Sequence, residues 1–272
     1  MAIGDISLTQ GMQANLVALQ NIQRLTNQTQ QALATGKSVN SALDNPVSYF
    51  AALSHTNAAN DLSQLKDAMN EAIQTIQAAN TGVTGITTLI NSAKSLANAA
   101  LSTTDTTQRA SYATQFNSLK TQIDNLAADS GYNGTNLLGN ATLTVTFNSD
   151  GTSTLGVSGF DGSSSGLGIN APVGNWASNN NINTSITQLN TALTTLRTKT
   201  QSLSSNVNIV QARLDYTSSM INVLVAGANN LTLADTNQEG ANMLALQTRN
   251  QLATVSLSLA SQAAQSVLRL FA

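Results

Sequence analysis

HTNAANDLSQLKDAMNEAIQTIQAANTGVTGITTLINSAKSLANAA, residues 55–100, sets apolar or small side chains at spacings that alternate three and four without a break. One seam runs His55, Leu62, Met69, Ile76, Val83, Ile90 and Ala97; the other runs Ala58, Leu65, Ala72, Ala79, Ile86, Ala93 and Ala100. A repeat of 3.5 residues sustained this long marks a supercoiling α-helix whose narrow stripe faces partner helices. At 1.5 Å per residue it spans on the order of 69 Å. Asn45 as N-cap and Pro46 as first helical residue start it, because proline lacks only an N–H that a first turn leaves unbonded anyway. Residues 35–44, which include Gly36, read as a loop.

A second heptad passes through Ile182, Leu189, Leu196, Leu203, Val210, Thr217, Leu224 and Leu231, with Ile186, Leu193, Thr200, Val207, Leu214, Ile221 and Ala228 as its companion. The two long helices are expected to pack together, with Leu62, Met69, Ile76, Val83 and Ile90 meeting Leu189, Leu196, Leu203 and Val210 in a rod seam. A shorter helix, about Asp105 to Asp129, presents Ala113, Phe116, Leu119, Ile123 and Leu126 on one face. Each end holds a further helix, through Met12, Leu16, Leu19, Ile22, Leu25 and Leu33 at the start and Leu244, Leu252, Val255, Leu259, Ala263 and Leu270 at the finish. Their opposite faces are Gln, Asn, Ser and Thr, so each alone is marginal in water and needs a partner. Residues 140–181 are rich in Gly, Ser, Thr and Asn. There Leu143, Val145 and Phe147 alternate with polar residues, Asp150-Gly151 supplies a turn, and Leu155 and Val157 alternate again, which reads as one β-hairpin followed by an irregular surface loop. The expected fold is mainly α: an elongated antiparallel helical bundle or coiled coil with paired terminal helices and one small β-hairpin.

Composition narrows the function. Only 9% of the 272 residues are charged and the net charge is −2, while Ser, Thr, Asn and Gln make up about 43%. Such a chain has no electrostatic hold on a phosphate backbone or an anionic membrane surface, and it lacks much of the repulsion that keeps soluble proteins apart. Nucleic acid and membrane are not expected partners; self-association is. With no Cys and one His, thiolate sites and multi-imidazole zinc sites are excluded. His55 occupies a heptad position with no acidic or thiol partner at metal spacing and reads as a packing residue. The glycines at 151, 156, 159, 162, 166 and 168 precede no Lys-Ser/Thr and form no phosphate loop. Asp67 with Glu71, and Asp124 with Asp129, read as solvated helix faces rather than an acid–base pair. No catalytic constellation and no cofactor are expected. The first 20 residues carry no Lys or Arg and no compact apolar block, unlike a cleaved secretory signal. Ser163, Ser164 and Ser165 are the candidates for hydroxyl glycosylation on the loop.

Three motifs in order resemble bacterial flagellin. Ala34-Thr35-Gly36-Lys37 with Val39-Asn40-Ser41-Ala42-Leu43-Asp44-Asn45-Pro46 is similar to that family's N-terminal signature, and Tyr132-Asn133-Gly134-Thr135-Asn136-Leu137-Leu138 to its mid-chain motif. Ala241 to Arg249, continuing through Ser256-Leu257-Ser258-Leu259-Ala260 to Phe271, is similar to its C-terminal region. The resemblance implies a flagellar filament subunit exported through the flagellar type III channel without signal cleavage. The filament would be a helical homopolymer outside the cell, with a cap, junction proteins and an export chaperone as further partners. It implies three parts: residues 1–40 with 235–272 as terminal-helix inner core, 41–140 with 182–234 as long-helix rod, and 141–181 as a short outward hairpin and loop. Met12, Leu16, Leu19, Ile22, Leu252, Val255, Leu259 and Leu270 would then pack the inner core. The hook-filament junction protein, and after it a secreted coiled-coil adhesin, are the alternatives. Flagellins seen by the innate Toll-like flagellin receptor carry Arg and a nearby Glu ahead of a Leu-Ala pair. If Leu96-Ala97 is that pair, Lys94 stands where the family has charge and no acidic residue lies between Glu71 and Asp105, so weak receptor binding is implied.

Overall fold

The computed structural model describes residues 10–270, with side chains through residue 266. In chain order it comprises α1 (Gln10–Thr35), α2 (Pro46–Leu101), α3 (Thr106–Asp129), β1 (Thr142–Thr146), β2 (Thr154–Ser158), a 3-10 turn at Val173–Trp176, α4 (Asn179–Thr232) and α5 (Thr236–Leu270). Two compact units divide inside the long helices: one takes the two ends of the chain, up to Ala58 and from Val223, and the other runs Ala59–Asn222.

Within residues 59–222 most of the heptad positions lie in one core. Met69, Ile76, Val83 and Ile90 of α2 and Leu189, Leu196, Leu203 and Val210 of α4 are all buried, and of the nine seam residues only Leu62 stays half-buried. Helix α3 adds Ala113, Phe116, Ile123 and Ala127 to the same core. Asp105 caps α3, its carboxylate accepting the N–H groups of Thr107 at 2.8 Å and Gln108 at 3.4 Å. Close approach at the far end of α3 depends on glycine: a Cβ on Gly82 would lie 2.1 Å from Ser130 Oγ and 2.8 Å from Leu138 Cδ1.

The mid-chain motif reverses the chain after α3. Asn133 (φ +46°) and Gly134 (φ +80°) form its tip, and Tyr132 and Thr135 exchange two backbone hydrogen bonds of 2.9 Å. Asn136 then closes α3: its Nδ2 donates to the carbonyls of Ala127 (2.8 Å) and Ala128 (2.9 Å), which a helix end leaves orphaned. Its Oδ1 accepts from Leu138 N–H at 2.9 Å, and Leu137 and Leu138 drop into the core.

The hairpin pairs β1 with β2 in antiparallel register, Val145 opposite Leu155 and Leu143 opposite Val157, with Val145 and Val157 buried. The segment after β2 is not the irregular surface loop expected from its composition. Phe160, Leu167, Ile169 and Trp176 are buried in the same core as the helical seams. Phe160 N–H donates to Leu137 O at 2.7 Å and Gly162 N–H to Leu138 O at 2.9 Å, stitching the segment to the mid-chain motif. Two cations of α4 lie over aromatic rings on either side of β2: Arg213 is 5.1 Å from the Phe147 centroid and Lys199 5.5 Å from that of Phe160. At the entry to α4, Gly174, Asn175 and Trp176 are successive residues with left-handed backbone, which costs a non-glycine residue about 1–2 kcal/mol.

In the unit formed by the chain ends, α1 packs against α5. The loops that follow α1 and α4 pair through a bridge between Lys37 and Leu233, where Ser38 N–H donates to Thr232 O at 2.7 Å and Ala234 N–H to Gly36 O at 3.0 Å. Asp44 knots the first loop: its Oδ2 accepts the N–H groups of Asn40 (3.0 Å) and Ser41 (2.8 Å) and the Ser41 hydroxyl (3.1 Å). Asn45 caps α2 by accepting from Ser48 N–H at 3.2 Å.

Ile169→Ala is expected to destabilise residues 59–222 by about 2–5 kcal/mol, the usual cost of an apolar truncation in a packed core, in urea unfolding followed by Trp176 emission. Ser165→Ala, at an exposed position, is expected to stay within about 0.5 kcal/mol. The backbone donors, Asn40 first and Ser41 next, hold the Asp44 carboxyl below its ordinary pKa. The knot is therefore fully formed above the ordinary aspartate range and is lost as pH falls through the lowered value. The amide resonances of Asn40 and Ser41 are expected to titrate with a midpoint below about 3.9, and Asp44→Asn to abolish that titration.

Candidate functional site

Most of the less exposed positions of α1 and α5 are spaced in heptads. On α1 the series is Met12, Asn15, Leu19, Ile22, Thr26 and Thr29, after which Ala32 is also buried; on α5 it is Met243, Leu246, Asn250, Ala253, Leu257, Ala260 and Ala264, with Glu239, Gly240 and Ser261 half-buried beside it. Asn15 Nδ2 donates to Ser256 Oγ at 3.4 Å, while Gln28 and Glu239 line one cavity, so the two helices run antiparallel. Their seam is soft: leucine and methionine are diluted by alanine, asparagine and threonine. The Thr26 hydroxyl satisfies itself on Ile22 O at 2.8 Å. Thr26 and Thr29 were not legible as seam residues by apolarity, but they continue the series from Leu19 and Ile22 at the required intervals.

The terminal-helix residues identified from the sequence separate into two groups. Met12 is buried and Leu19 and Ile22 half-buried in the seam. Leu16 is 39% exposed, and Leu252, Val255 and Leu259 are 65–67% exposed. The latter three do not line the α1–α5 seam; they form a second heptad stripe on the outward face of α5, with Leu244 exposed a few turns earlier. Leu270 lies outside the described side chains. A further uncovered apolar face, Leu43, Val47 and Phe50 at helical spacing, opens α2. No Lys, Arg, Asp or Glu interrupts α5 between Leu252 and Ser266.

The triplet Ser163 to Ser165 is divided by the fold. Ser164 is buried at 1% exposure, its N–H donating to Asp124 Oδ1 at 2.7 Å, so its hydroxyl cannot be the exposed acceptor expected from the sequence. Ser163 is half-buried and its Oγ accepts from Gly166 N–H at 3.2 Å. Only Ser165 is exposed. The reason is Leu167 and Ile169, which pull the serine run onto the helices.

Between α2 and α3 a groove of about 470 Å³ is lined by Ser92, Ser95, Leu96, Gln115, Ser118, Leu119 and Gln122, none of them charged. Lys94 points elsewhere and donates to Asn190 Oδ1 at 2.8 Å. A second groove, lined by Leu65, Glu71, Tyr132 and residues 143–146 among others, runs between α2 and the hairpin; hydrogen bonding to Glu71 raises the Tyr132 phenol above its ordinary pKa. Among the described residues no group of three His, Cys, Asp or Glu could hold a metal, and no helix is long and apolar enough to cross a membrane. The chemistry available is that of neutral, partly apolar helix faces.

Comparison with known proteins bears on those faces. Residues 6–142 match the family model for the bacterial flagellin N-terminal helical region. Over the full length of both chains the protein is 31% identical to flagellin FljM and 31% identical to flagellin FljK, both of Caulobacter vibrioides. The crystal structure of Bacillus cereus flagellin aligns with 56% of this chain and 88% of its own, at 18% identity and a TM-score of 0.49. With a family match over half its length and full-length relatives above 30% identity, the chain belongs to the flagellin family.

Proposed function

We propose that this chain is a structural subunit of a bacterial flagellar filament, and that it polymerises through helix faces that a single copy leaves open. The observation that carries the reading is the second heptad on α5, Leu252, Val255 and Leu259, exposed in the single chain and followed by no charged residue as far as Ser266. An apolar stripe at that spacing is a seam for another helix. Full burial of one such side chain contributes about 1.5–3 kcal/mol, and there is no ionic group to desolvate alongside it. Seated on a different face of the next copy, this stripe makes a heterologous contact, the arrangement that extends into a helical polymer rather than closing.

In this reading residues 1–40 with 235–272 form the innermost layer, 41–140 with 182–234 the next, and 141–181 face outward. The filament lies outside the cell, reached by export without signal cleavage, and the cap, the junction proteins and an export chaperone are its transient partners. Ser165 is the acceptor of the serine triplet that a glycan could reach. The subunit is a building block of the filament, as its membership of the flagellin family supports.

Leu259→Asp is expected to leave the free subunit's stability within about 0.5 kcal/mol of the wild type, since the position is already exposed. Filament growth from seeded solution is expected to stop, because an unpaired carboxylate must then be buried in each contact at a cost of several kcal/mol. Electron microscopy of the seeded solution checks this; filaments of normal length remove α5's outer stripe from the assembly interface. Depolymerised protein is expected to activate the Toll-like flagellin receptor weakly. The groove around Leu96 offers no charge, Lys94 is engaged with Asn190, and lysine lacks the planar fork of arginine. A reporter-cell dose response checks it, and potency equal to that of a strongly stimulating flagellin overturns it.

A further inference from the structure

The turn that opens α4 holds the chain's single tryptophan against the preference of its own backbone. Gly174 (φ +55°), Asn175 (φ +52°) and Trp176 (φ +62°) are left-handed in succession. Glycine accepts that conformation freely and asparagine tolerates it, but a bulky side chain there is an outlier that persists only where its surroundings impose it. The surroundings are specific. The indole is fully buried, meets Phe116 edge-on at 5.0 Å between centroids, and donates from Nε1 to Ser185 Oγ at 3.0 Å. Asn181 Nδ2 donates to Val173 O at 3.0 Å, and Ala177 N–H to Gly174 O at 3.0 Å.

Arg109, 5% exposed, ties this turn to the end of α2. Its Nε donates to Ala100 O at 3.1 Å and Thr103 O at 2.8 Å, its Nη1 to Ala177 O at 3.1 Å, and its Nη2 to Asn179 Oδ1. Every acceptor is neutral. The buried charge therefore rests on carbonyl dipoles, chiefly those at the C-terminus of α2, and on an acceptor for each of its three nitrogens.

We propose that Arg109, the left-handed turn and the first two turns of α4 form one cooperative latch, and that its opening is the first local unfolding event within residues 59–222. The half-open states are the unfavourable ones. If Trp176 leaves, the turn that presents Ala177 O relaxes, and Arg109 loses acceptors while still desolvated, which drives it out as well. If Arg109 leaves first, the last carbonyls of α2 and the Asn179 side chain lose their donor, and the backbone strain at Asn175 and Trp176 is opposed by fewer contacts. Elsewhere among the described residues the only non-glycine positive φ values are those of Asn133 and Asn140, both asparagines in turns. The seam from Leu189 to Val210 carries no such load.

The test uses the full chain, hydrogen exchange read by mass spectrometry, and acrylamide quenching of Trp176. Asn175→Val places a β-branched residue in the left-handed turn, Ser185→Ala removes the indole's acceptor, and Arg109→Gln removes the buried cation. Each is expected to speed exchange about tenfold in residues 100–109 and 174–185 together and to raise quenching in step, with residues 189–210 unchanged. Asn175→Gly, which suits the turn, is expected to leave both readouts at or below the wild-type level. Acceleration confined to the neighbourhood of each substitution overturns the cooperative unit. Equal acceleration throughout 59–222 shows global unfolding and overturns the latch, and faster exchange in Asn175→Gly shows that backbone strain does not load it. Asn175→Val and Ser185→Ala keep the test decisive if Arg109→Gln fails to fold.

Discussion

Burial confined to a narrow stripe is the constraint on which the rest of this structure depends. A heptad leaves about two residues in seven for the core, and here α2 and α4 share that core with other elements. Helix α3 covers part of the α2–α4 seam through Phe116 and Ile123, and the hairpin segment covers more through Val145, Val157, Phe160, Leu167, Ile169 and Trp176. The central segment is therefore a third wall of the core rather than an ornament. Its many glycines are what let it lie down: a Cβ on Gly159 would meet Leu137 O at 2.4 Å, and one on Gly166 would meet Asp161 Cβ at 2.4 Å.

The remaining helix surface is neutral and polar, and much of it satisfies itself. Thr81, Thr84 and Thr88 on α2, and Thr184, Thr187, Thr191, Thr194 and Thr198 on α4, each donate their hydroxyl to the carbonyl four residues earlier, at 2.9–3.1 Å. Such back-bonding weakens a helix slightly. In exchange it leaves a surface with few charges and few unspent donors, and a partner can cover it without stripping strongly held water. Only one ion pair, Lys120 with Asp124 at 4.0 Å, occurs among the described residues. A protein whose helices are to be covered by other helices is suited to that surface.

How much could be read beforehand depended on how far a periodicity was free of competitors. The seams of α2 and α4, the cap at Asn45, the presence of the hairpin and the family motifs were all visible, because each combines a spacing rule with a residue chemistry that admits one local structure. The fate of Ser163 to Ser165 was not visible. Leu167 and Ile169 follow no sustained period, and composition rich in serine and glycine reads as loop whether or not two apolar anchors hold it to a helix face. The left-handed Trp176 was equally hidden, since no local preference of tryptophan leads there and only its contacts with Phe116, Ser185 and the Arg109 network impose it.

Helix α5 shows the sharpest form of that ambiguity, and its resolution is physical. Two heptads share the helix, one through Leu246, Ala253 and Leu257 and one through Leu252, Val255 and Leu259, and hydrophobicity alone favours the second. The single chain uses the first. Helix α1 can offer only Met12, Leu19 and Ile22 before its seam turns to Thr26 and Thr29, so it matches α5's weaker stripe. The stronger stripe is left without an intramolecular partner. An isolated pair of this kind holds the less apolar of its two surfaces and presents the more apolar one, so its stability rises when another copy arrives. In the assembly proposed above, covering Leu252, Val255 and Leu259 supplies what the α1–α5 seam lacks, and growth of the polymer stabilises the terminal helices.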